Sequence, residues 1–115
     1  MQTAIQHLYK PPHEGNGLLY AWFLSMHTRV DIILYSQKPE RELLLVVNRI
    51  YDALYRLGKI ANFYDPDSEL SFVNRTASIS PIVLSEELYS MIDLCLEYNS
   101  KTLGYFDITV HSENY

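Results

Sequence analysis

Glycine, cysteine and clustered positive charge are what this 115-residue chain lacks. Its four glycines form neither a phosphate-cradling loop nor a dinucleotide-binding fingerprint. Its one cysteine, Cys95, excludes an intramolecular disulfide, and a position inside an apolar helical pattern predicts a buried thiol. Nine Lys and Arg stand against fourteen Asp and Glu, giving a formal net charge of -5. The basic residues are scattered, and only Arg49 and Arg56 share a helix face at close range. That pattern speaks against nucleic acid and against an anionic membrane surface, which need clustered cations to release counterions. No apolar run is long enough to span a bilayer. Residues 1–7 have no basic region followed by an apolar core, so no signal peptide is expected and a cytoplasmic location is.

What the chain does have is apolar side chains, 48% of it, and ten tyrosines. Its length suggests one domain over residues 1–115. Pro11-Pro12 and Gly15-Asn16-Gly17 bracket a loop, preceded by a short strand near Ile5–Tyr9. Leu18–Ser25 suits a buried strand. In Thr28–Tyr35, Val30, Ile32 and Leu34 alternate with Arg29, Asp31, Ile33 and Tyr35, the pattern of a strand buried on one side. Residues 18–35 therefore read as antiparallel strands, with a turn or bulge at Ser25-Met26-His27.

Two helices follow. Pro39, Glu40 and Glu42 are helix-start signals, and Leu43, Val47, Ile50, Leu54 and Leu57 recur at spacings of a core-facing stripe, so a helix is predicted over about 39–60. Ser85 is an N-cap with Glu86 and Glu87 in the first turn. Leu88, Met91, Ile92, Cys95 and Tyr98 then make a second stripe, predicting a helix over about 86–100. Gly104 suits a helix-terminating position, and alternation from Tyr105 to Val110 predicts the start of another strand. The expected class is α+β, an antiparallel sheet with both helices on one face.

Between the helices, Phe63 to Ser71 packs two aspartates, a proline, two serines and a glutamate around an aromatic pair. Asp65, Asp67 and Glu69 have the spacing of half a calcium loop, but the loop's glycine and distal glutamate are absent. A turn started by Asp65-Pro66, with Ser68 capping a short helical segment from Glu69, accounts for the same residues. The four histidines have no partner at helical spacing and suggest no zinc site. Asn74-Arg75-Thr76 fits a glycosylation sequon and reads as a loop. The tyrosines serve packing, or a stacking platform for a flat ligand or a protein partner.

Several stretches together resemble one family. Tyr64-Asp65-Pro66-Asp67-Ser68-Glu69-Leu70-Ser71, then Asn74, then Val83-Leu84-Ser85-Glu86-Glu87-Leu88, then Thr102 to Val110 are similar in order and spacing to the motifs of the ApbE family, the FAD:protein FMN transferases. Met26-His27-Thr28 resembles that family's M-G-T at a strand start. The resemblance covers roughly residues 20–110 and implies half of a T-fold-like architecture. It implies a magnesium-dependent transferase that moves FMN from FAD onto a Thr or Ser of a target flavoprotein, releasing AMP, a chemistry of flavinylation. It places Met26, Tyr64, Tyr105, Phe106 and Asp107 against FAD, names no catalytic group, and puts the magnesium ligands outside this chain. This chain departs from the family's glycines at His27 and Leu103, and has Tyr105 where a small residue is usual.

The expectation is thus a truncated ApbE-like domain carrying one wall of an FAD site, inactive alone. A second chain would complete it, unless it is a non-catalytic flavin-binding or interaction module. The resemblance also implies that relatives are often exported. A two- or three-stranded sheet under two helices leaves edges and apolar surface open, so a homo-oligomer is expected.

Overall fold

The computed structural model describes residues 5–109. Three strands form an antiparallel sheet in the order β1 (Gln6–Lys10), β2 (Gly17–Ser25), β3 (Thr28–Ser36). Helices α1 (Glu40–Ala61), α2 (Glu69–Thr76) and α3 (Glu86–Lys101) follow. This is the α+β class anticipated above.

Period-two alternation builds the sheet. Leu19, Ala21 and Phe23 of β2 point to one face and are essentially solvent-free. Ile32 and Leu34 of β3 and Tyr9 of β1 pair with or flank them on the same side. The α1 stripe meets this face through Leu43 and Val47, and Tyr51 packs edge-to-face on Phe23 with ring centroids 5.0 Å apart. Burial of two apolar surfaces against each other drives this packing, at roughly 25 cal/mol per Å² of apolar area removed from water. His7 Nε2 lies 2.9 Å from Glu40 Oε1, tying β1 to the first turn of α1.

The β1–β2 connection depends on a close backbone approach. A Cβ on Gly17 would fall 2.5 Å from the Lys10 carbonyl oxygen and 2.8 Å from Pro12 N, so only glycine fits.

The second long helix departs from the simple two-on-one-face arrangement. It makes its main contacts with α1, and its burial fades along its length. Leu88 is buried, Met91, Ile92 and Cys95 are half-buried, and Leu94, Leu96 and Tyr98 are exposed. Cys95 is therefore not fully buried. The molecule is accordingly long, 60 × 34 × 25 Å. Its radius of gyration is 18.6 Å, where about 13 Å is usual for a compact chain of this length.

A further difference lies at the end of α3. Residues 102–109 form turns, not the beginning of a strand. The helix terminates as its glycine suggested: Gly104 has φ +87° and its N–H donates to the Asn99 carbonyl at 2.8 Å. Thr102 Oγ1 then accepts from Phe106 N at 2.9 Å, and Asp107 accepts from both the hydroxyl and the N–H of Thr109. These bonds hold the backbone in consecutive turns against its alternating side-chain pattern. Val110 lies outside the described residues.

Gly17→Ala is expected to lower unfolding stability by about 1–3 kcal/mol, since the colliding atoms are backbone; denaturant melts compare it with the parent. The Asp31 carboxyl is held below the usual carboxylate range, first by the Tyr20 hydroxyl that donates to it and then by Arg29. Its contribution to stability is present above the unfolded-chain value and is lost as pH falls through the depressed one. An NMR acid titration should find Asp31 titrating below an Asp in the unfolded chain.

Candidate functional site

The stretch from Asn62 to Ser71 folds as a tightly bonded loop and cap. Ser68 is buried; its hydroxyl donates to the Asn62 carbonyl at 2.7 Å and accepts from Ser71 N, capping α2. The Ser71 hydroxyl donates to the Asp65 carbonyl at 2.7 Å. Asp65 Oδ1 accepts from Asp67 N at 2.9 Å, and Asn62 Oδ1 from Tyr64 N at 3.0 Å. Arg75 reaches back to the Pro66 carbonyl at 2.8 Å. The polar residues thus satisfy the loop's own backbone, and Tyr64 is left with its ring on the surface, 57% exposed.

Glu69 is committed elsewhere. Its two carboxylate oxygens accept from Ser85 N at 2.7 Å and from the Ser85 hydroxyl at 2.5 Å, which joins the cap of α2 to the cap of α3. Asp65, Asp67 and Glu69 consequently present no converging oxygen set. Among the described residues no three His, Cys, Asp or Glu side chains gather to hold a metal ion. Magnesium is commonly held by one or two carboxylates together with substrate phosphates, and the resemblance puts the family's magnesium ligands outside this chain.

This loop forms one side of a cleft of about 600 Å³, within the range of ligand sites. The opposite side is the end of β2 with the turn Met26-His27, and the floor is the C-terminal half of α1, with Tyr51, Tyr55, Gly58 and Lys59. Ser25 pairs with Thr28, so Met26 and His27 are the whole connection of a two-residue hairpin. Both have positive φ, +50° and +62°, the backbone of a turn normally served by Asn-Gly. The His27 ring lies against Tyr64, centroids 4.4 Å apart, and both residues line the cleft. Lys59 Nζ sits 5.3 Å from the centre of the Tyr55 ring. The arrangement offers flat rings and a cation, suited to an aromatic ligand carrying negative charge.

Two of the five residues expected at the site, Met26 and Tyr64, come together here. Tyr105, Phe106 and Asp107 do not line this cleft. Tyr105 is 93% exposed beyond the end of α3, and Phe106 packs its ring toward Tyr98. The Asp107 carboxyl is held below its usual range by the hydroxyl and then the N–H of Thr109. The floor residues Tyr55 and Lys59 were missed. Tyr51, Tyr55 and Lys59 recur every four residues beside the core stripe, and Gly58 next to them was the available signal.

The ApbE family model matches residues 26–113, most of the chain. The chain belongs to the ApbE family. An FAD:protein FMN transferase of Chlamydia muridarum (strain MoPn / Nigg) is 30% identical over 80 residues, covering 70% of this chain and 24% of that protein. The chain therefore spans about a quarter of that relative's length. No solved structure matches. Within the ApbE comparison the two departures from glycine acquire a common meaning. His27 and Leu103 stand where the resemblance has glycine, and both have positive φ, +62° and +56°. The backbone holds a left-handed conformation at each, with a side chain in place of hydrogen.

Leu103 is 89% exposed, so replacing it removes little packing. Leu103→Gly is expected to raise stability by about 1 kcal/mol through relief of the left-handed strain. Thermal unfolding measures it, and a lowered midpoint would count against strain at this position.

Proposed function

We propose that this chain binds FAD in the cleft between the Met26-His27 turn and the Tyr64 loop, as the flavin-nucleotide wall of an FAD:protein FMN transferase. The observation that carries the reading is the meeting of Met26 and Tyr64 across one cleft with Lys59 on its floor. In this reading Tyr64 and Tyr55 offer faces to the rings of the ligand, and Lys59 meets its pyrophosphate. A cation near a phosphate is a charge-assisted contact of the stronger kind. His27 covers one face of Tyr64 and has to move, or the ligand uses the other face.

The transfer of FMN to a Thr or Ser of a target flavoprotein, with AMP leaving, is the activity proposed for the assembly in which this wall works. Phosphoryl transfer of this kind proceeds by positioning and by neutralising developing charge, commonly with magnesium. In this reading the magnesium-binding groups come from outside the described residues. A second reading is a flavin-binding module without turnover.

Titration of FAD fluorescence with the protein tests the binding. Tyr64→Ala is expected to weaken binding about tenfold, the effect of losing one stacking ring, and Lys59→Ala to weaken it with a reduced salt dependence. His27→Gly, which uncovers Tyr64, should tighten it. If neither fluorescence nor anisotropy of FAD responds to the protein, the flavin reading is lost. AMP release with magnesium and a target flavoprotein then separates transferase from binding module.

A further inference from the structure

Gly58 is a glycine that the fold does not ask for. It lies inside α1, one turn before the C-cap Asn62, whose N–H donates to its carbonyl at 3.0 Å. It is therefore not the position past a helix end where glycine is favoured. Its φ is not positive, unlike those of Gly15 and Gly104. A Cβ built on it would meet only Met26 within 4 Å, Cγ at 3.6 Å and Sδ at 4.0 Å, which is ordinary van der Waals contact. Gly17, where a Cβ would strike backbone, is the contrasting case. Glycine in the body of a helix is less stable than alanine because it gives up more backbone freedom. Neither packing nor backbone shape offsets that cost at Gly58.

The cleft does. Tyr51, Leu54, Tyr55, Lys59 and Asn62 line it from one side of α1, and Gly58 stands among them, since residues three and four apart share a helix face. Every neighbour in that row has a side chain. At half-buried Gly58 the floor falls back to the peptide backbone. The Tyr55 ring stands one turn earlier, with Lys59 Nζ 5.3 Å from its centre, and the Met26 thioether borders the gap. A planar group can lie directly on bare backbone, and a methyl group there would hold it off. A thioether is a favourable neighbour for the edge of such a ring.

We infer that Gly58 is the seat of a planar ring of the bound dinucleotide, and that this gap makes the cleft selective for a flat heteroaromatic group. The inference rests on the reading of the cleft as an FAD site and adds the helix position against which one ring lies.

Gly58→Ala tests it, because fold and ligand make opposite demands there. Without ligand, the unfolding midpoint of the full chain should rise by about 2–5 °C. Titration of FAD fluorescence should show binding at least about tenfold weaker, the size of one lost stacking contact. Asn48→Ala, at an exposed position of the same helix outside the cleft, also raises helix propensity and should leave FAD binding unchanged. FMN and AMP, as separate competitors of FAD, identify the ring: the half that Gly58→Ala weakens is the one seated there. A lowered midpoint overturns the inference by making glycine a requirement of the fold. Unchanged FAD binding in Gly58→Ala also overturns it and leaves the cleft as an FAD site. So do equal weakening in Asn48→Ala, which traces the loss to the helix, and a loss for neither FMN nor AMP. A parent chain that binds no FAD removes this inference together with the reading of the cleft.

Discussion

The contact between β2 and α1 holds this molecule together. Leu19, Ala21 and Phe23 on the strand, with Leu43 and Val47 on the helix, make up all but one of the fully buried apolar residues among those described. The helix then serves everything else. Its 22 residues run about 33 Å, and along that length it floors the cleft and seats both α2 and α3. A core this small gives modest burial, so local devices matter more: the paired caps at Ser68 and Ser85, the Glu69 carboxylate that joins them, and the side-chain contact of His7 with Glu40. Each fixes an end of an element where packing alone does not reach.

Much of this was legible in the residues. Alternation in Thr28–Tyr35 gave the strand and its buried side, and the stripe from Leu43 to Leu57 gave α1 and its core face. Ser85 with two glutamates gave the start of α3. These signals are local, and the structure obeys them because nothing tertiary competes. Two features were not legible. Leu94 and Leu96 lie beside a helical stripe, and no sequence period says that the neighbour meant to cover a stripe is absent. Tyr105 to Thr109 alternate like a strand, but the bonds from Thr102 and Asp107 and the positive φ at Leu103 and Gly104 bend them into turns. A strand also needs a partner, and among the described residues no strand pairs with them.

The site shows the same division. The turn-and-cap chemistry of Asp65 to Ser71 could be read from residue types, because each polar group answers a nearby backbone group. The family likeness led to Met26 and Tyr64. It could not show that Glu69 is committed to the cap of α3, since that depends on Ser85 standing sixteen residues away from it. Nor could it show that the end of α3 lies off the cleft.

The hairpin at Met26-His27 has one more consequence. Nine paired positions between β2 and β3 set its path, so the turn follows the strands and does not direct them. Side chains there are under little obligation to the fold, even at an unfavourable φ. Residue 27 nevertheless lines the cleft. A substitution there can therefore reshape the cleft wall while the backbone stays as it is, because the neighbouring strands insure the architecture.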